Sequence, residues 1–221
     1  MPHDGGVEYN VIVTVLMVIA VIFVLVRVFY KQFLTQMGLG MDDWVMVATL
    51  FVCVPSAIFN VKLAEYGIGK DIWTLTPNQI TNFSFTFWIV TLLYFVEVAM
   101  LKISILFFYL RIFPDKQIRR LLYGTLVVVV LFGIAFVITA ALQCLPVEYN
   151  WTAWKDPSKK SQCRDASVIA WANAGISIAL DLWMLYLPLS QIRSLNLHWK
   201  KKLGVAASKS NFNLLVFMQG C

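Results

Sequence analysis

Five apolar runs follow one another along the chain, each long enough to cross about 30 Å of hydrocarbon at about 1.5 Å per residue. They extend from about Asn10 to Tyr30, Asp43 to Leu63, Phe83 to Phe113, Arg120 to Leu142 and Ala166 to Ile192. Lipid offers no partner to a bare peptide group, so a run of this kind must close its hydrogen bonds within itself, as an α-helix. The sequence therefore predicts an all-α membrane protein, a helical bundle of five transmembrane helices. Composition agrees: 60% of residues are hydrophobic and 14% charged, against about 45–50% and about 25% in soluble domains. The polar start "MPHDGGVEY" has neither a basic segment nor a following small-residue cleavage pattern, which predicts an uncleaved spanning helix rather than a signal peptide. Pro188 is expected to kink or end the fifth helix.

The net charge of +6 does not point to nucleic acid, because the basic residues stand at the ends of the apolar runs. With the N-terminus outside, eleven basic residues fall on the cytoplasmic side, among them Arg27, Lys31, Arg111, Arg119 and Arg120, and six outside, with Lys102 left within the membrane. The excess of inner positive charge predicts an outside or lumenal N-terminus and a cytoplasmic C-terminus, in a plasma or internal membrane. Cys144 and Cys163 bracket a loop on the outer side, where a disulfide can form. The same loop holds the glycosylation sequon at Asn150, and a second sequon begins at Asn82. Cys53 reads as a small apolar residue inside the second helix.

Charges inside an apolar helix are costly and need partners. Glu97 and Lys102 share the third helix but lie five residues apart, about 140° around its axis, so each addresses a different neighbour. Counted from the basic residues at the helix ends, Lys102 is about 13 Å deep and Asp181 about 18 Å, a difference the lysine stem can bridge. A Lys102–Asp181 contact that fixes helix register is the expectation. Glu97 is left to stay protonated, to meet Asn173, or to meet a helix beyond this sequence. Asp42 and Asp43 open the second helix, where carboxylates cap free N–H groups. The tryptophans near helix ends fit a membrane-interface belt. No metal or other cofactor is expected: the two histidines stand near opposite ends, and "GIGK" is too short for a phosphate-binding loop.

An ordered set of motifs carries a resemblance over roughly residues 10–205: "MGLGMDDW" (37–44), "GIGKDIW" (67–73), "LKISILFFYLRIF" (101–113), "CLPVEYNW" (144–151), "CRDA" (163–166) and "DLWMLYLPLSQIRSLNL" (181–197) followed by "KKLGV". Together they resemble the fungal rhodopsin-domain family of integral membrane proteins, which includes satratoxin-cluster-type and receptor-like members. The resemblance implies one rhodopsin-like transmembrane domain over residues 10–205, and in the family a seven-helix bundle, of which five helices are legible here. It departs at Asp71, where the family commonly has a histidine, and in the tail 206–221, whose apolar patch "LLVFM" is too short to span. That tail reads as a divergent or truncated end.

The function implied is that of a multi-pass receptor-like protein, sensing or accessory, tied to secondary metabolism. Its partners would be the bilayer, a hydrophobic small molecule, and a membrane or cytoplasmic protein. The alternatives are a truncated inactive form or a small membrane enzyme. The enzyme would use Glu97 and Asp181 as acid and base on a lipophilic substrate, as membrane terpene cyclases do, and requires both acids to face one cavity.

Overall fold

The computed structural model describes residues 5–31, 40–68, 72–113, 115–155 and 163–194. Five long helices dominate: α1 (Gly5–Phe29), α2 (Met41–Tyr66), α3 (Pro77–Ile112), α4 (Lys116–Ala141) and α6 (Ala166–Ser194), with one short turn of helix, α5 (Tyr149–Thr152), between α4 and α6. All five long helices are long and apolar enough to cross a membrane, and no strand occurs among the described residues. The protein is a helical multi-pass membrane protein. The tail 206–221, Asp71 and Cys221 lie outside the described residues.

The helix boundaries follow local chemistry. α3 begins six residues ahead of Phe83, because Thr76 caps it: the Gln79 N–H donates to Thr76 Oγ1 (3.4 Å) and Gln79 Oε1 accepts from the Thr76 N–H (2.9 Å). Pro77 follows as the first helical residue, where its missing N–H costs nothing. Asp115 caps α4 by accepting from the Gln117 N–H at 3.3 Å. α2 ends at Gly67, whose φ of 125° suits a residue without a Cβ. Pro188 does not end α6, which continues to Ser194. Pro55 also stands inside a helix, α2. In a bundle, neighbouring groups can compensate the hydrogen bond that such a proline removes.

α3 is the central element, packing on α2 and α4, while α1 packs on α2 and α6 on α4. Ile105, Leu106 and Tyr109 of α3, Ile118, Leu122 and Val129 of α4, and Met184 and Leu187 of α6 form the apolar core. Where lipid is as apolar as leucine, such a core is held by close packing rather than by expulsion of water. Gly133 illustrates this: a Cβ there would lie 2.7 Å from the Ala99 Cβ, so the α3–α4 approach requires the absence of a side chain.

The buried face of α2 has the opposite character. Asp42, Thr49, Ser56 and Leu63 are buried, while Trp44, Phe51, Ile58 and Val61 are exposed. Steps of seven residues, and of three from Ile58 to Val61, keep each set on its own side of the helix. α2 is thus polar inward and apolar outward, as a lipid-facing helix must be.

A candidate functional site of buried charges

Three polar assemblies sit on α3. At the end of the bundle where α1 finishes and α2 begins, Asp42 and Asp43 are almost fully buried and meet three cations. Arg27 Nη2 donates to Asp42 Oδ2 at 2.9 Å. Lys31 Nζ donates to Asp42 Oδ2 (2.8 Å) and Asp43 Oδ1 (2.7 Å). Arg111, in the last turn of α3, reaches Asp42 Oδ1 at 3.4 Å and Asp43 Oδ2 at 3.7 Å. Asp43 also accepts the Gly40 N–H at 3.0 Å, the capping role legible in the sequence. The larger role is interhelical, joining α1, α2 and α3. A Cβ at Gly40 would stand 2.8 Å from Arg111 Nη1, so glycine leaves room for the guanidinium. Ser104 adds a bond from its Oγ to the Asp42 carbonyl at 3.2 Å, and the Arg27 guanidinium lies 5.1 Å from the centre of the Phe108 ring.

In mid-helix the structure brings Lys102 and Asp181 together. Lys102 is fully buried; its Nζ donates to Asp181 Oδ1 and, at 3.3 Å, to the Ser177 carbonyl of α6. This pair bridges α3 to α6. Trp183 supports the same side, its indole N–H donating to Thr125 Oγ1 of α4 at 3.1 Å.

Glu97 turns the other way. Its carboxyl lies against α2, hydrogen-bonded to the Ser56 side chain and beside the Cys53 thiol. Its Oε1 is buried without a hydrogen-bond partner. The partner of Glu97 is therefore on α2, while Asn173 is buried on α6. Glu97 thus addresses Ser56 of α2, whereas Asp181 addresses Lys102 of α3. Cys53 is a free, half-buried cysteine on α2. No cluster of three or more His, Cys, Asp or Glu suited to a metal occurs among the described residues.

At the opposite end, Cys144 and Cys163 form a disulfide. The loop they close carries Trp151, whose ring packs on Phe85 (5.1 Å between centroids) and Trp88 (5.6 Å) of α3. Trp88 donates from Nε1 to the Ala140 carbonyl of α4 at 3.1 Å. Trp151 thereby holds the described part of the loop against α3. Asn150 Nδ2 donates to the Val147 carbonyl at 2.8 Å, and Asn82 is exposed on the second turn of α3.

The fungal rhodopsin domain matches residues 26–210, from within α1 past the end of α6. The chain belongs to that family. This fungal rhodopsin-domain protein is similar to a SAT4 family membrane protein of Emericella nidulans, at 24% identity over 155 residues, 68% of this chain and 39% of the relative. It is also similar to the polyenoic acids biosynthesis gene cluster protein Ba17b of Metarhizium anisopliae, at 25% identity over 194 residues, 85% of this chain and 52% of the relative. The chain thus spans roughly two fifths to one half of the length of these relatives. No solved structure matches it.

The sequence missed the ion cluster for a reason. Arg27, Lys31 and Arg111 look like topology signals, and Asp42 and Asp43 look like caps; each local reading is sufficient. Their meeting depends on how α1 returns into α2 beside the end of α3. The available signal was charge balance, since two adjacent acids at a membrane end rich in cations form natural partners.

Proposed function

We propose that this is a receptor-like multi-pass membrane protein that acts as a sensing or accessory component in connection with a secondary-metabolite pathway. One observation carries the receptor-like part: the ion pairs within the bundle join helix to helix, from α1 to α2 and α3 and from α3 to α6. Such contacts hold helices in defined positions, and a ligand or partner preferring another arrangement would act by shifting that equilibrium. The pathway connection is supported by the Metarhizium relative, which is named for a polyenoic acids biosynthesis gene cluster. A hydrophobic small molecule and a membrane or cytoplasmic protein are the partners this reading calls for. The N-terminus, and with it the disulfide loop and its Asn150 sequon, faces outward in this proposal, supported by the distribution of basic residues.

Deletion of the gene in its source organism tests the reading. The expected result is an altered level of a whole class of secondary metabolites with no intermediate accumulating. Accumulation of one lipophilic precursor, consumed by membranes containing the protein, would replace this reading with an enzymatic one. Endoglycosidase treatment checks the orientation: an outward loop predicts a mobility shift that Asn150→Gln removes.

A further inference from the structure

The loop between Cys144 and Cys163 holds its glycosylation sequon in a shape that the sequon must leave before it can be used. Asn150, Trp151 and Thr152 lie in α5 and are half-buried, and the helical path runs on through one 3-10 turn, Ala153–Lys155. Side chains two residues apart on a helix point about 200° away from each other. On an extended chain they point to the same side, and each residue advances by about 3.3 Å rather than about 1.5 Å. A transferase that engages asparagine and threonine together needs the extended arrangement. Both side chains are also occupied within the loop. Asn150 Nδ2 donates to the Val147 carbonyl at 2.8 Å, and Thr152 Oγ1 donates to the Glu148 carbonyl at 2.8 Å.

A helix of four residues does not persist by itself, so contacts from outside hold it. The disulfide ties Cys144 to Cys163, 19 residues on. Beside it the Arg164 N–H donates to the Gln143 carbonyl at 2.9 Å, and Gln143 Nε2 to the Arg164 carbonyl at 3.2 Å. The middle of the sequon is held by Trp151, whose ring meets Phe85 and Trp88 of α3. Loop closure and aromatic docking therefore withdraw the sequon as they form. Chain synthesis adds about 5–20 residues per second and disulfides form in seconds or longer, so emergence and closure of the loop overlap in time.

We propose that glycosylation of Asn150 competes with the folding of its own loop: the sequon is an acceptor until Cys144–Cys163 closes and Trp151 docks, and molecules that close first stay unglycosylated. The proposal rests on the outward orientation proposed above. In the transfer, Asn150 Nδ2 bonds to C1 of the sugar and loses a proton. The bond from C1 to the diphosphate of a lipid-linked oligosaccharide breaks, and the lipid diphosphate leaves.

Expression of the full chain in a eukaryotic host, followed by endoglycosidase treatment, tests it. The expected result is a doublet whose upper band is lost with the glycan and absent from Asn150→Gln. The upper band should become the major species in Cys144→Ser combined with Cys163→Ser, in Phe85→Ala, and in the unaltered chain when dithiothreitol is present during synthesis. Lys102→Met, which disturbs the α3–α6 contact away from the loop, should leave the doublet as it is. A fully glycosylated unaltered chain, an unchanged doublet in the loop variants, or an equal rise in Lys102→Met overturns the competition. A sequon carried on a short N-terminal extension separates this result from the orientation. Glycan there but never on Asn150 overturns the proposal alone, and glycan on neither overturns the orientation as well.

Discussion

The two faces of α3 solve the problem of helix association in opposite ways. Against α4 and α6 it buries Ile105, Leu106 and Tyr109 in an apolar core, pinned by a single ion pair. Against α2 it buries Asp42, Asp43, Thr49, Ser56 and its own Ser104, with few apolar side chains fully enclosed. In water the first interface would be driven by burial and the second would be a liability. In lipid the order changes. Apolar surface gains nothing by leaving lipid, so the first depends on shape, whereas charge finds no solvent and binds its partners strongly. The polar face should therefore be sensitive to loss of single groups, and the apolar face to gain of volume.

The largest expected effect is at the ion cluster. Asp43→Ala leaves Arg27, Lys31 and Arg111 with one carboxylate instead of two, and removing one partner of a buried ionic group costs about 3–5 kcal/mol. Loss of folded protein from membranes, measured by size-exclusion profile after mild solubilisation, checks it; an unchanged profile would mean that solvent already screens the cluster. At the mid-membrane pair, Lys102→Met alone should cost about 3 kcal/mol by stranding Asp181. Lys102→Met combined with Asp181→Leu should recover most of that loss in thermal unfolding, because two apolar residues at a lipid-depth contact replace the pair at small cost. Independent, additive effects would show that the contact carries no register information.

On the apolar side, Gly133→Val drives a side chain into Ala99 and should cost about 1–3 kcal/mol. Pairing it with Ala99→Gly should restore part of the lost thermal stability; failure to do so would place the strain elsewhere. The smallest effect is expected at the start of α3, where Thr76→Ala removes the cap and should cost about 1 kcal/mol. Because Thr76 stands at an exposed helix end, the change should appear as faster amide exchange in the first turn rather than as global unfolding.

Much of this organisation was legible in the residues. The apolar runs gave the helices to within a few residues, because hydrocarbon thickness and peptide hydrogen bonding leave no other solution. α3 began earlier than its apolar run, since Thr76, Pro77 and Gln79 form a start signal that hydropathy does not register. Depth counting brought Lys102 to the level of Asp181, and the angle between Glu97 and Lys102 sent the two to different neighbours.

What the sequence determined by itself was whatever periodicity and depth control: the helical class, the number of candidate spans, the separation of Glu97 from Lys102, and the family. What only the tertiary structure decided was which helix each buried group faces. Glu97 meets Ser56, and Asp42 and Asp43 gather cations from both α1 and α3. The reason is geometric. Periodicity fixes the angle of a side chain about its own axis, but the neighbour at that angle depends on how the loops return each helix into the bundle.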